Sequence, residues 1–315
     1  MSFSGMVKEE LSKQIGAARH CRIAEIAALL SACGRITPEG HLRIQMENDA
    51  VIRKYFTLLR KTFNIESEIF VRESSPQKKG QVYYVELKDE DEIRQVLQAA
   101  KLITDTENGE TLISGSGLVT QQSCCKRAFI RGSFLAAGSI SDPRKGYHFE
   151  LVCAEESKAF QLQDIIRSFQ IDAKIVQRKR SYVVYVKEGD QIVDMLALME
   201  ANVALMNLEN IRILKEMRNT VNRRVNCETA NINKTVNAAV KQMEDIKLIE
   251  KKTGLENLNE GLAEIARLRL QYPEATLKEL GMMLNPQVGK SGVNHRLRKL
   301  SEIANEMREN KEELL

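Results

Sequence analysis

One motif occurs twice in this chain of 315 residues, and it constrains the fold more than any other feature. Cys21 to Ile36 reads CRIAEIAALLSACGRI, and Cys125 to Ile140 reads CKRAFIRGSFLAAGSI. Cys21, Ala24, Ile26, Ala32, Gly34 and Ile36 recur as Cys125, Ala128, Ile130, Ala136, Gly138 and Ile140, an offset of 104 residues (Cys21 to Cys125). A fixed offset held across so many positions indicates a duplicated unit. Ala28 and Ala32 share one helical stripe, and Gly132 and Ala136 fill the matching places in the second copy. Small side chains at that spacing let two helix backbones approach closely. Gly34 and Gly138 follow each run, where a left-handed residue commonly ends a helix.

The same order of elements follows each copy. Gly40 to Gln45 and Gly146 to Val152 are short runs rich in aromatic and aliphatic residues and read as strands. Helices are expected around Tyr55, Leu58, Leu59 and Phe63, and around Phe160, Leu162, Ile165, Ile166 and Phe169, which recur at helical spacing. Candidate strands follow at Glu68 to Arg72 and Val82 to Leu87, and at Lys174 to Arg178 and Tyr182 to Lys187. Helices Glu92 to Leu102 and Gln191 to Met199 close the halves. The fold class is α+β, with two pseudo-twofold halves at about 19–104 and 123–200 inside a domain of residues 1–205.

Ile26 to Gly34 (IAALLSACG) and Ile130 to Gly138 (IRGSFLAAG) resemble two degenerate copies of the LAGLIDADG signature of homing endonucleases. The resemblance implies two central helices flanked by saddle-shaped sheets. It also implies an acid at the penultimate position of each signature, holding Mg²⁺ over the scissile phosphate. Those positions here are the degenerate catalytic pair Cys33 and Ala137, and the earlier acidic position is Ser31 or Leu135. None can replace a carboxylate, because Mg²⁺ is a hard cation that takes oxygen ligands. Metal-assisted cleavage rests on that charge, so no nuclease activity is expected. The nearest acids, Glu25 and Asp142, are separated from these positions along the chain; a nuclease built on them is the alternative.

The C-terminal end, 255–315, is expected to be an all-helical helix-turn-helix domain. A first helix, about Asn257 to Gln271, carries Leu258, Leu262, Ile265 and Ala266 on one face and ends at Tyr272-Pro273. Thr276-Leu277-Lys278-Glu279 has the form of a capping box, and Asn285 to Gly289 forces a turn. Ser291 is a candidate cap for the last helix. Val293, Leu297, Leu300, Ile303, Ala304 and Met307 mark its buried stripe. That leaves Ser291, Asn294, His295 and Arg298 on an exposed stripe at i, i+3, i+4 and i+7. Asn and Arg carry the donor and acceptor patterns that read adenine and guanine edges in the major groove, so these four are the candidate base-reading residues. Lys290, Arg296 and Lys299 flank them as candidate phosphate contacts. The bland alternative is a basic, solvated amphipathic helix.

Paired degenerate signatures followed by a helix-turn-helix resemble the WhiA family of bacterial sporulation and cell-division regulators, over nearly the whole chain. The opening MSFSGMVKEEL, Asn222 to Lys234 (NRRVNCETANINK) and Gly289 to Lys299 (GKSGVNHRLRK) carry the resemblance further. It implies a non-enzymatic protein that binds double-stranded DNA at promoters and controls transcription, its C-terminal part similar to the promoter-reading region of sigma factors. Other transcription or division proteins are further candidate partners. A structural or assembly protein with a vestigial helix-turn-helix is a third reading.

Charge and cysteines narrow this further. With 47 Lys and Arg against 43 Asp and Glu, the net charge of +4 does not itself indicate a nucleic-acid binder; its placement matters. Lys78 and Lys79, and Arg178, Lys179 and Arg180, fall in equivalent turns of the two halves and are candidate DNA-backbone contacts. Lys-rich hairpin tips also serve solubility alone. Residues 206–254 read as a charged helical linker, one long helix or two, with Asn-rich interruptions. No apolar run reaches the ~18 residues of a membrane span, and the first residues lack a signal-peptide core. A cytoplasmic, nucleoid-associated protein without a membrane role is expected. Cys21, Cys33, Cys124, Cys125, Cys153 and Cys227 form no CxxC pair and have no His at zinc-finger spacing. Neither a metal site, nor a cofactor, nor a Cys-His nucleophile is assigned from the sequence.

Overall fold

The computed structural model describes residues 2–73, 81–105, 111–113 and 117–312. It divides into two compact units, Met1–Lys215 and Glu216–Leu315.

The first unit opens with α1 (Phe3–Ser12), which Ser2 caps by accepting from the Gly5 amide. The first repeat follows as α2 (Arg19–Cys33), β1 (Gly34–Ile36), β2 (Leu42–Met46), α3 (Asp49–Phe63), β3 (Ile69–Glu73), β4 (Gln81–Leu87) and α4 (Glu90–Ala99). A short hairpin, β5 (Ile103–Asp105) with β6 (Thr111–Ile113), stands between the repeats. The second repeat runs α5 (Ser123–Ala137), β7 (Gly138–Ile140), β8 (Phe149–Cys153), α6 (Glu156–Arg167), β9 (Lys174–Arg178), β10 (Ser181–Val186) and α7 (Gly189–Met199). The two four-stranded antiparallel sheets have the same order, β1-β2-β4-β3 and β7-β8-β10-β9. Alternation along the strands explains why each sheet has one buried face: Leu42, Ile44 and Met46 point inward while Arg43 and Gln45 point out. A single core joins Ile26, Leu29 and Leu30 of α2, Ile130, Phe134 and Leu135 of α5, and the inner faces of both sheets.

The strand and helix expectations agree with these elements to within a few residues, and the three-residue strands β1 and β7 are additions. Gly34 and Gly138 correct one expectation. Their φ angles are −75° and −89°, so they are extended and not left-handed. Glycine is required because the chain turns directly from helix into strand. A Cβ at Gly34 would lie 2.6 Å from the Leu30 carbonyl oxygen, and one at Gly138 would lie 2.3 Å from Phe134 Cδ2.

Helix α8 runs without a break from Asn202 to Thr253, so the stretch read as a linker has no interruption at its asparagines. Its start is fixed by Glu10, whose two carboxylate oxygens accept from the Val203 and Ala204 amides at 2.8 and 2.9 Å; a carboxylate suits the positive end of a helix. Residues 216–238 are exposed on every face.

In the second unit, the end of α8 contributes Ile246 and Ile249 to a core with α9 (Glu260–Gln271), α10 (Leu277–Met283) and α11 (Lys290–Glu312). Asn259 caps α9. The capping box at Thr276 and Glu279 is present in both directions, and its hydrogen bonds hold the exposed Glu279 carboxyl below its ordinary value. Buried Arg269 donates to the Pro273 and Ala275 carbonyls at 3.3 and 2.7 Å, closing the turn from α9 to α10; burial lowers its pKa. Gly281 allows the next turn to fold back, since a Cβ there would lie 2.1 Å from the Val288 carbonyl oxygen.

Candidate nucleic-acid interface and the central helix pair

Helices α2 and α5 form the axis of the first unit. Gly132 lies so close to α2 that a Cβ would sit 2.6 Å from the Glu25 carbonyl oxygen and 2.8 Å from Ala28 Cβ. The small-residue stripe therefore permits the approach that the sequence spacing calls for.

At the C-terminal end of the pair, Cys33 and Ala137 occupy the signature's penultimate positions, half-buried. A cavity of about 610 Å³ beside Cys33 is also lined by Lys8, Gln45, Glu47, Asn48 and Ala136. Lys8 comes from α1 and sits over the Phe134 ring, 5.8 Å from its centroid. Burial lowers its pKa while Cys33 acts in the opposite sense; burial likewise raises the Cys33 thiol, with Lys8 opposing. Neither Cys33 nor Ala137 supplies the oxygen ligand that Mg²⁺ takes, and among the described residues lining the cavity Glu47 is the one carboxylate, with the Lys8 ammonium in the same lining.

Glu25 is committed elsewhere. It is fully buried, with Oε1 2.5 Å from Lys54 Nζ and 3.2 Å from Arg131 Nε. Lys54 also donates to the Leu11 carbonyl at 2.7 Å, and Arg131 pairs with Glu200 at 2.9 Å. This network ties α2, α3 and α5 together in the core. Asp142 accepts from the Arg144 amide in an exposed turn, so the two acids do not form a shared site.

The outer sheet faces are built on one glutamate each. Glu86 accepts from His41 and Arg43, both at 2.8 Å, and Arg43 lies 5.0 Å over the Tyr84 ring, itself stacked on Phe70. Glu150 accepts from His148 at 3.1 Å, Ser139 at 2.9 Å and Arg178 at 3.0 Å. Burial alone would raise both carboxyls, but these hydrogen bonds and charges outweigh it and hold them below the ordinary carboxylate value. Arg178 is thus the end of β9 and an ion-pair partner, while Lys179 and Arg180 form the exposed turn, Lys179 with φ of 54°. Lys78 and Lys79 lie outside the described residues.

On α11, Ser291, Asn294, His295 and Arg298 are all exposed, opposite the buried Val293, Leu297, Leu300 and Ala304. Lys290 and Lys299 flank them, also exposed. Two details differ from the sequence expectation. Ser291 lies inside the first turn, which begins at Lys290, and so is not the cap. Arg296 is half-buried and donates to the Gly261 carbonyl on α9 at 3.3 Å, a packing contact between helices. Arg298 makes an exposed i,i+4 pair with Glu302 at 3.3 Å, a weak interaction that leaves it available.

The opposite end of the central pair holds a constellation that chain spacing did not reveal. His20, Cys21, Cys124 and Cys125 bring one ligand atom each to within 4.8 Å of one another. His20 Nδ1 lies 3.1 Å from Cys125 Sγ, 3.4 Å from Cys21 Sγ and 4.0 Å from Cys124 Sγ. Burial and the neighbouring thiols push Cys21 up to about 12 and raise Cys125. The signal was present in the repeat itself, since His20-Cys21 and Cys124-Cys125 stand at equivalent positions.

These features define a two-part protein: a duplicated LAGLIDADG-like unit whose signature positions lack acids, and a helix-turn-helix unit. Comparison with known proteins gives the family. Residues 19–103 match the WhiA N-terminal LAGLIDADG-like domain, 126–218 the WhiA LAGLIDADG-like domain, and 221–304 the WhiA C-terminal HTH domain. The chain is 58% identical over 313 residues to the probable cell division protein WhiA of Lachnoclostridium phytofermentans, covering 98% of this chain and 100% of that one. It is 46% identical to the protein of the same name from Alkaliphilus oremlandii, covering 99% of each. The crystal structure of full-length DUF199/WhiA from Thermatoga maritima superimposes with a TM-score of 0.60 at 26% identity, covering 97% of this chain and 99% of that one. The chain belongs to the WhiA family.

Proposed function

We propose that the chain is a sequence-specific double-stranded DNA-binding regulator of cell-division and sporulation genes, without nuclease activity. The carrying observation is the stripe Ser291, Asn294, His295 and Arg298, exposed along one face of α11 while its opposite face fills the helical core. Lys290 and Lys299 on the same exposed surface are suited to phosphates. No acid interrupts Pro286 to Leu300.

The reading without catalysis is supported by the lack of an acid at Cys33 and Ala137, by Lys8 lining the cavity beside Cys33, and by the burial of Glu25 against two cations. In the first unit the sheet-face cations Arg43 and Arg178 already serve Glu86 and Glu150. That favours these faces as positioning or protein-docking surfaces over strong phosphate binders, with Lys179 and Arg180 as the freer backbone contacts. Plasmid and promoter fragments incubated with the full chain and Mg²⁺ test both parts: retarded but uncut DNA is expected. Nicked or linear product that disappears in a Glu25→Gln or Asp142→Asn variant would establish the nuclease alternative.

A further inference from the structure

We propose that His20, Cys21, Cys124 and Cys125 form a four-coordinate zinc site that clamps the two repeats together at the N-terminal ends of the central helices. The geometry carries this. A tetrahedral Zn²⁺ with Zn–S of about 2.3 Å and Zn–N of about 2.0 Å places its ligand atoms roughly 3.5–3.8 Å apart. The ligand atoms here, with none separated by more than 4.8 Å and His20 Nδ1 at 3.1, 3.4 and 4.0 Å from the three sulfurs, bracket that tetrahedron. Three sulfurs and one imidazole are a donor set that selects zinc over magnesium or calcium. An iron–sulfur cluster needs room for its own core between the ligands, which this spacing does not leave.

The site is also symmetric. His20 and Cys124 occupy the second position of α2 and α5, and Cys21 and Cys125 the third, so each repeat supplies one pair. Neither helix has a side-chain cap or an acid in its first turn. No carboxylate in either first turn therefore opposes the thiolates that zinc would hold. Cys125 is buried, Cys21 half-buried, and His20 and Cys124 are exposed, which gives the ion an entry path. The bridge would close a loop of about a hundred residues, the case in which a cross-link most restricts the unfolded chain.

Full-length protein stripped with a chelator and titrated with Co²⁺ under reducing conditions tests this. One Co²⁺ per chain is expected, with the intense visible bands of tetrahedral cobalt and thiolate-to-cobalt charge transfer, both abolished by one equivalent of Zn²⁺. Zn²⁺ should raise the thermal midpoint of the first unit. Cys21→Ser and Cys125→Ser should each weaken binding beyond the about 100-fold that loss of an outer-shell partner costs, whereas Cys33→Ser and Cys227→Ser should leave it unchanged. Because the wild-type spectrum needs no variant to fold, it decides alone. A featureless or octahedral spectrum, affinity unaffected by Cys21→Ser, or a disulfide among these cysteines in protein purified without oxygen would overturn the proposal.

Discussion

Removing the carboxylate of Glu25 is the sharpest test of how the two repeats are held together. Glu25 and Lys54 are fully buried and the Arg131 side chain is 5% exposed, so deleting the acid leaves two cations with little water. Arg131 keeps Glu200 and the Met199 carbonyl, whereas Lys54 keeps, among the described residues, only the Leu11 carbonyl. Breaking a buried ion pair from one side costs about 3–5 kcal/mol, a large part of the about 5–15 kcal/mol that stabilises a typical domain. Glu25→Leu and Lys54→Met should each destabilise the first unit on this scale. The double variant, which removes both charges and leaves Arg131 paired, should cost less than the sum, with a coupling of roughly 0.5–3 kcal/mol. Six of the seven tyrosines, all but Tyr272, lie in the first unit and the chain has no tryptophan. Urea unfolding followed by tyrosine fluorescence in a Tyr272→Phe background therefore reports that unit. Strict additivity of the two substitutions, or a single-variant effect below about 1 kcal/mol, would refute the claim that this network is a coupled buried device.

Three further outcomes are expected. Gly132→Val should destabilise the first unit by about 1–3 kcal/mol or more through overpacking against Glu25 and Ala28, read in the same urea assay; an unchanged midpoint would mean that the helices separate easily. Glu86 and Glu150 have folded pKa values below the ordinary 4.5, so their pairing stabilises the fold above that value and is lost as pH falls through the folded values; Glu86→Gln and Glu150→Gln should flatten the acid limb of a stability profile. Arg296→Ala should lower the stability of the second unit by about 1 kcal/mol through its lost hydrogen bond to Gly261, measured by thermal denaturation, while leaving the salt dependence of DNA binding nearly unchanged.

The repeats, the signature positions and the exposed stripe of α11 were legible because each is local: periodicity within a helix fixes which residues share a face. Features assembled across the repeats were not. The cluster at His20 and Cys124 joins residues 104 positions apart (His20 to Cys124), and neither pair alone has metal-ligand spacing. Glu25 reads as an ordinary helical acid until Lys54 and Arg131 converge on it from α3 and α5. Glu86 and Glu150 show why the symmetry is incomplete: one stands on β4 and the other on β8, yet each gathers the cations of its own sheet. The periodicity of α11 places Arg296 beside the exposed stripe but does not reveal that the neighbouring helix passes Gly261 beneath it.

Whether α11 reads base sequence is decided by fluorescence-anisotropy titration on a site selected from random duplexes and on unselected DNA. Asn294→Ala and Arg298→Ala should each lose about 1–3 kcal/mol on the selected site and little on unselected DNA. Lys290→Ala and Lys299→Ala should weaken both and lower the salt slope by about one each. Equal losses on both duplexes for all four variants would contradict base reading by α11.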